Sequence, residues 1–131
     1  MENPEQELMF KLSYFEQQIK LLQNQLEAVE QALFELSNLS DGLNEMKNGK
    51  DREILASVGR GIFAKAKLLS DELIVDVGGK NFVKKSIPDT QNIIEAQSEK
   101  LEMIRKELED NLEKVNEEVT KTFEEAQNKS G

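Results

Sequence analysis

The sequence predicts a mainly α protein with a small β insert, namely an antiparallel two-helix coiled coil whose helices are joined by two β-hairpins. Two long segments, one in each half of the 131 residues, repeat apolar side chains at the alternating three- and four-residue spacing of a coiled coil. Between them, residues 53–86 contain short runs rich in Ile, Val and Phe around glycine-containing turns. Because the helical segments have similar lengths, we expect them to fold back on each other within a single domain, residues 1–131, so that the chain ends meet at a tip far from the hairpins.

The first helix is predicted over residues 4–48. Its apolar positions form a heptad seam sustained over four repeats. The seam consists of Leu8, Leu12, Phe15, Ile19, Leu22, Leu26, Val29, Leu33 and Leu36. After Leu36 the next apolar residue is Leu39, a second consecutive step of three, which predicts a locally overwound coil. Asn48-Gly49 is the predicted C-terminal cap, because glycine adopts the left-handed conformation without a Cβ clash.

The insert, residues 53–86, is predicted to form two β-hairpins. Strands are expected near residues 53–58, 62–68, 73–77 and 81–85. Two of them alternate apolar side chains at period two, in the sets Ile62, Ala64, Ala66, Leu68 and Leu73, Val75, Val77. Two-stranded hairpins cannot cover their own edges or both of their faces. We therefore expect the insert to be an assembly module that pairs with other chains.

The second helix is predicted over residues 87–127. Ser86 is a favourable N-cap, Pro88 is tolerated in the first turn, and Asp89 occupies the capping-box position. Its predicted seam consists of Ile94, Gln97, Leu101, Ile104, Leu108, Leu112, Val115 and Val119, with Phe123 and Ala126 beyond. Two successive steps of four around Leu108 predict a stutter that locally unwinds the supercoil.

Aromatic residues concentrate where the chain ends are expected to meet. Four of the seven, Phe10, Tyr14, Phe15 and Phe123, fall there. Met9, Phe10 and Tyr14 lie off the predicted seam, so this part of the helix is apolar on more than one face. One interpretation is that Met9 and Phe10 only cap the coil. The other is a tip left partly open for apolar segments of other proteins, because Met and aromatic side chains suit varied partners.

Composition and charge exclude several classes of function. The net charge is −9, with net −6 in residues 1–48, +2 in residues 49–89 and −5 in residues 90–131, so the helical arms oppose nucleic-acid phosphates. The sequence contains neither Cys nor His, which argues against a metal site or an enzyme, and Gly79-Lys80 lacks the Ser or Thr of a phosphate-binding loop. We expect no catalytic residues, no metal and no cofactor. No apolar run is long enough for a bilayer, and no signal peptide is evident, so we expect a cytoplasmic protein without a membrane partner.

Two sequence segments in the insert resemble a known family. Residues 54–66, ILASVGRGIFAKA, and residues 73–79, LIVDVGG, flanked by coiled-coil arms, resemble the α-type subunit of prefoldin, an ATP-independent co-chaperone of archaea and eukaryotes. The resemblance covers nearly the whole chain. It implies two hairpins between the helices and a hexamer of two α-type and four β-type subunits. It also implies a holdase that binds unfolded proteins at its coiled-coil tips and passes them to a group II chaperonin.

The resemblance also assigns roles to residues of this sequence. It places client binding at the tip, on Leu8, Met9, Phe10, Leu12, Phe15, Val119 and Phe123. It places subunit assembly on the hairpins, at Ile62, Phe63, Leu73, Val75, Val77, Phe82 and Val83. The alternative function is a structural coiled-coil scaffold or spacer subunit, with the hairpins serving only as a dimerisation joint. A scaffold is expected to ignore unfolded proteins and to bind one folded partner stoichiometrically.

Overall fold

The computed structural model describes residues 3–130, with side-chain detail for residues 3–128. The elements in chain order are α1 (Pro4–Met46), β1 (Glu53–Gly59), β2 (Ile62–Lys67), β3 (Leu73–Asp76), β4 (Phe82–Lys85) and α2 (Ile87–Ser130). The predicted order of helix, two hairpins and helix is confirmed. The chain divides into two compact units. Unit 1 combines the described residues up to Phe34 with those from Glu99 onward, and unit 2 contains Glu35–Ser98.

Unit 1 pairs the first part of α1 with the last part of α2. The beginning of α1 and the end of α2 line one cleft, so the two segments run in opposite directions, as predicted. On α1 the side chains at the predicted seam positions are half-buried, and Leu22 is buried. The seam of α1 continues regularly from Leu36 to Ser40 and Leu43, whereas Leu39 is exposed. The predicted local overwinding of the coil at Leu39 is therefore wrong, because Ser40 and not Leu39 occupies the seam.

The seam of α2 is also more regular than the apolar residues indicated. From residue 91 to residue 128, the side chains that are not exposed recur at strictly alternating steps of three and four. They are Gln91, Ile94, Ser98, Leu101, Arg105, Leu108, Leu112, Val115, Val119, Thr122 and Ala126. The predicted positions Gln97, Ile104 and Phe123 are exposed, so these assignments and the stutter around Leu108 are wrong. In each case an adjacent residue of the helix occupies the seam position, namely Ser98, Arg105 or Thr122. The alternating steps of three and four fix which residues face the partner helix, and small polar side chains or the aliphatic stem of Arg can be half-buried there.

Unit 2 has a small apolar core where the helices and the second hairpin meet. Leu43, Ile87 and Ile94 are buried together, and the partly buried residues Leu36, Met46 and Leu73 pack against them. The amide of Gln91 donates a 2.7 Å hydrogen bond to the side-chain oxygen of Asn44 beside this core. One end of α1, the start of α2 and strand β3 are therefore held by the same cluster.

The helix ends next to this core have specific caps. The Ser86 hydroxyl accepts a hydrogen bond from the Asp89 N–H at 3.1 Å, which confirms the predicted N-cap of α2. After α1, the left-handed residue is Asn48, with φ of 57°, and not Gly49 as predicted. Gly49 is buried instead, and a Cβ at this position would lie 3.0 Å from the Met46 carbonyl oxygen. Such a contact is unusually tight for a Cβ, which favours glycine at this position. The other end of α2 extends to Ser130, three residues beyond the prediction.

The four strands form two separate antiparallel hairpins. In the first, Ile54 pairs with Ala66 and Ala56 with Ala64, and a bulge between Ser57 and Gly59 precedes the turn. In the second, Leu73 pairs with Lys85, Ile74 with Lys84, Val75 with Val83 and Asp76 with Phe82. Each sheet has only two strands, so within the described residues every strand leaves one edge unpaired.

Neither helix contains, in its described residues, a stretch apolar enough to span a bilayer.

Candidate functional site

Exposed large apolar side chains are concentrated on two surfaces of the chain, although others, such as Leu21, Phe34 and Met103, lie elsewhere on the helices. The first, the terminal tip, consists of residues 3–16 and 116–128 in unit 1. The second, the hairpin surface, consists of residues 53–85 in unit 2. Monomeric proteins rarely leave large contiguous apolar patches open, and such patches commonly mark interaction sites. Both surfaces are therefore candidate binding sites.

At the terminal tip the predicted client-binding residues separate into two groups. Leu8, Leu12, Phe15 and Val119 occupy seam positions and are half-buried. Met9, Phe10 and Phe123 lie off the seam, with 71%, 78% and 49% of their surface exposed. The first group positions the two helices against each other. The second group faces solvent and remains available to bind other molecules.

Tyr14 extends this exposed group, although it is not among the client-binding residues predicted from the sequence. It lies one helical turn after Phe10, which places both side chains on the same face of α1. More than half of its surface is exposed, and its ring packs edge-on against Phe15, with 5.9 Å between the ring centroids. The sequence signal that could have added Tyr14 to the tip residues is its spacing of four from Phe10.

A cleft lies between the beginning of α1 and the end of α2. Its lining consists of Asn3, Pro4, Glu5, Glu7, Leu8, Lys11, Thr122, Phe123, Glu125, Ala126 and Gln127. Leu8, Phe123 and Ala126 supply apolar surface, and every ionisable group of the lining is solvent-exposed. The cleft therefore combines apolar surface with a charged rim, an arrangement suited to binding an amphipathic segment.

The hairpin surface exposes apolar residues on both faces of each sheet. Ile62, Phe63, Val77, Phe82 and Val83, which the sequence assigned to assembly, are all exposed. The other two assigned residues, Leu73 and Val75, are half-buried, and Leu73 packs against the core of unit 2. Leu73 therefore contributes to the stability of the chain itself.

Four further exposed apolar residues of the hairpin surface were missed. They are Leu55, Val58, Leu69 and Ile74. Ile74 shares a face of the second hairpin with Phe82, because Asp76, two residues further along β3, pairs directly with Phe82. On β3 the prediction followed only one phase of the period-two pattern, that of Leu73, Val75 and Val77. The signal for the other phase was present in the uninterrupted apolar run from Leu73 to Val75.

The turns of the hairpins explain the glycine clusters. Gly59, Arg60 and Gly61 have φ values of 127°, 51° and 78°, and Gly78, Gly79 and Lys80 have φ values of 127°, 59° and 64°. Asp76 accepts a 2.9 Å hydrogen bond from the Gly78 N–H through its carboxylate. The predicted role of these glycines as turn residues is confirmed.

Comparison with known proteins identifies the family of this architecture. The prefoldin subunit family matches residues 15–131. The chain is 31% identical over 110 residues to the prefoldin subunit alpha of Methanobrevibacter smithii, which covers 83% of this chain and 70% of that protein. It is 28% identical over 110 residues to the prefoldin subunit alpha 1 of Methanocaldococcus jannaschii, covering 82% and 76% of the two chains.

A solved structure shares the fold. A chain in the cryo-EM structure of filamentous PFD from Methanocaldococcus jannaschii superposes with a TM-score of 0.75 at 20% identity, covering 88% of this chain and 97% of that one. The family match, the α-type relatives and the presence of two hairpins between two long helices agree with one another. The chain therefore belongs to the prefoldin family, as an α-type subunit.

Proposed function

We propose that this chain is a subunit of an ATP-independent holdase co-chaperone of the cytoplasm. In this proposal the hairpin surface assembles with four β-type prefoldin subunits and a second α-type copy, and the terminal tips bind unfolded proteins and pass them to a group II chaperonin. Prefoldin is a family of chaperone subunits that form oligomers, which supports the general role. The finer proposal rests on one observation, the exposure of Met9, Phe10 and Phe123 at the terminal tip.

The exposed tip side chains suit weak binding to many different partners. Met has an adaptable side chain and Phe supplies a large rigid contact area, so together they fit apolar segments of varied shape. A single tip offers few such residues and is expected to bind weakly. Several tips held in one assembly bind the same unfolded chain with higher avidity, because later contacts are intramolecular. Dissociation from weak individual contacts then allows release without nucleotide hydrolysis.

The tip contribution is tested by replacing Met9, Phe10 and Phe123 together with serine. The assembled protein is mixed with a denatured client, and light scattering measures how far aggregation is suppressed. We expect most of the protection to be lost because the exposed apolar area at the tip is removed.

A matched control separates the terminal tip from general surface hydrophobicity. Leu21, Phe34 and Met103 are comparably exposed and lie in the same unit outside the terminal tip. Their replacement by serine is expected to leave protection nearly unchanged. Full protection by the tip variant, with its assembly intact, would argue against client binding at the tip and would favour the scaffold alternative.

The assembly role of the hairpins has its own test. Phe82→Asp places a charge on an exposed apolar position of β4, and Phe10→Asp makes the same change at an even more exposed position of the terminal tip. Native mass spectrometry of each variant, mixed with a β-type prefoldin subunit, measures assembly. We expect Phe82→Asp to reduce the oligomer and Phe10→Asp to leave it intact. Equal oligomer formation by both variants contradicts assembly through this hairpin.

A further inference from the structure

We propose that the terminal tip prefers apolar client segments that are flanked by Lys or Arg over segments flanked by Asp or Glu. This inference rests on the proposed client-binding function and adds the chemical class of the client. The preference follows from the charged groups around the exposed apolar side chains of the terminal tip. Client binding by itself does not require these charges.

The rim of the cleft at the terminal tip is acidic. Glu5, Glu7 and Glu125 line it against a single cation, Lys11. Among the described residues, Glu72, Glu102 and Glu109 form ion pairs, and none of these three pairs uses a carboxylate of the rim. The rim carboxylates are therefore available to a cationic side chain of a bound segment.

The acidic excess extends across the whole tip. Residues 3–16 and 116–128 contain seven Glu residues and two Lys residues, Lys11 and Lys121. Phe10 follows Glu7 by three residues, and Met9 follows Glu5 by four, so a carboxylate lies one helical turn before each of these exposed apolar side chains. An apolar segment that covers Met9 and Phe10 thus places its flanking residues near negative charge.

The helix dipoles do not reverse this charge. The start of α1 contributes partial positive charge, but it lies beside the end of α2, which contributes partial negative charge. Asn3 caps α1, since its side-chain oxygen accepts a 3.2 Å hydrogen bond from the Glu5 N–H. The side-chain charges therefore decide the sign of the potential at the cleft.

The hairpin surface, the other exposed apolar region, carries the opposite charge. Residues 53–85 contain six Lys or Arg residues and four Asp or Glu residues. A cationic apolar segment is repelled there and attracted to the terminal tip, because like charges disfavour an encounter and opposite charges accelerate it. Charge thus directs the client to one apolar surface of the chain and keeps it from the other.

The expected preference is modest because the carboxylates are solvent-exposed. Two or three exposed ion pairs together correspond to a ratio of about tenfold in dissociation constant between Lys-flanked and Glu-flanked segments at low ionic strength. The ratio is expected to approach one at ~1 M salt, where the screening length is about 3 Å.

The experiment uses three fluorescent peptides with one common apolar core, flanked on both sides by Lys, Ser or Glu pairs. Fluorescence anisotropy with the assembled full-length protein measures each dissociation constant at low and high salt. We expect the order Lys, Ser, Glu from tightest to weakest. The triple variant Glu5→Gln, Glu7→Gln, Glu125→Gln is expected to remove most of the difference.

A control variant distinguishes the tip from the overall acidic field of the arm. It replaces three carboxylates outside the terminal tip, in Glu27→Gln, Glu30→Gln and Glu113→Gln, and is expected to retain the Lys preference. An equal loss in this control overturns the inference, as does equal binding of all three peptides by the unmodified protein.

The outcomes also separate this inference from the proposed function. Binding of the Ser-flanked peptide that is lost on replacing Met9, Phe10 and Phe123, without any Lys preference, overturns the charge selectivity alone. Absence of binding by all three peptides overturns both the selectivity and the client-binding role of the tip.

Discussion

Replacement of Ile87 by alanine tests whether the small core of unit 2 holds the second hairpin to the helices. Ile87 is the most deeply buried side chain described, with only 2% of its surface exposed, and it packs with Leu43 and Ile94. The change removes three carbon atoms, worth about 0.8 kcal/mol each in transfer free energy. With the cavity left behind, we expect a loss of about 3 kcal/mol in the free energy of unfolding.

The matched control is Ile93→Ala on the same helix. Ile93 is 41% exposed, so the same atoms contribute less, and we expect a loss of about 1 kcal/mol. Alanine adds helix propensity at Ile93, inside α2, and less at Ile87, the first residue of the helix, so this contribution only lowers the loss expected for the control. Urea denaturation followed by circular dichroism, at one fixed chain concentration, measures both free energies.

A second measurement tests the coupling between Ile87 and the hairpin. Leu73 of β3 packs against the cluster that contains Ile87. Hydrogen exchange of the β3 backbone amides is therefore expected to accelerate in Ile87→Ala and to change little in Ile93→Ala. If the two variants lose equal stability, Ile87 is not the centre of this core and the reasoning is refuted.

Three further predictions concern the helices. Gly42→Ala should stabilise the chain by about 1 kcal/mol, since Gly42 is helical and an added Cβ meets no atom within 4 Å. Gly49→Ala should destabilise the chain, because its Cβ would lie 3.0 Å from the Met46 carbonyl oxygen. Thermal unfolding of the two variants should shift in opposite directions, and a shift of the same sign contradicts the assignment. Ser86→Ala should cost about 1 kcal/mol in urea denaturation through loss of the N-cap, with Ser86→Asn as the conservative rescue. Arg105→Leu should raise the midpoint of thermal unfolding, because a half-buried seam position becomes apolar. A fall in the midpoint would show that the ion pairs of Arg105 with Glu102 and Glu109 stabilise the coil more than an apolar side chain at this position does.

The sequence predicted the hairpins largely because their turns need unusual backbone conformations. Glycine around Arg60 and before Lys80 marked both turns, and period two marked the strands between them. Ile74 was missed because the apolar run from Leu73 to Val75 allowed either face of β3 to be exposed, and the sequence does not say which face the chain itself covers. That depends on Leu73 reaching the core of unit 2, which is a tertiary contact.

The terminal tip shows the same division. The sequence indicated that Met9 and Phe10 lie off the seam, and their exposure confirms this. It placed Phe123 on the seam, whereas Thr122 occupies that position and Phe123 faces solvent. Phe123 is one residue away from the seam position of Thr122, and both fit a coiled-coil spacing of three or four from Val119. Hydrophobicity favoured Phe123, and it could not show that Thr122 faces the partner helix.

What the sequence determined by itself was local: the two helices, the two hairpins, the N-cap at Ser86 and the acidic charge of the arms. Each depends on residues near one another in the chain, through backbone propensity, periodicity or turn geometry. The tertiary structure alone decided that Arg105 and Thr122 belong to the seam and that apolar surface and carboxylates meet in one cleft. Those features depend on which distant residues lie opposite one another, and the rotation of each helix about its axis sets that arrangement.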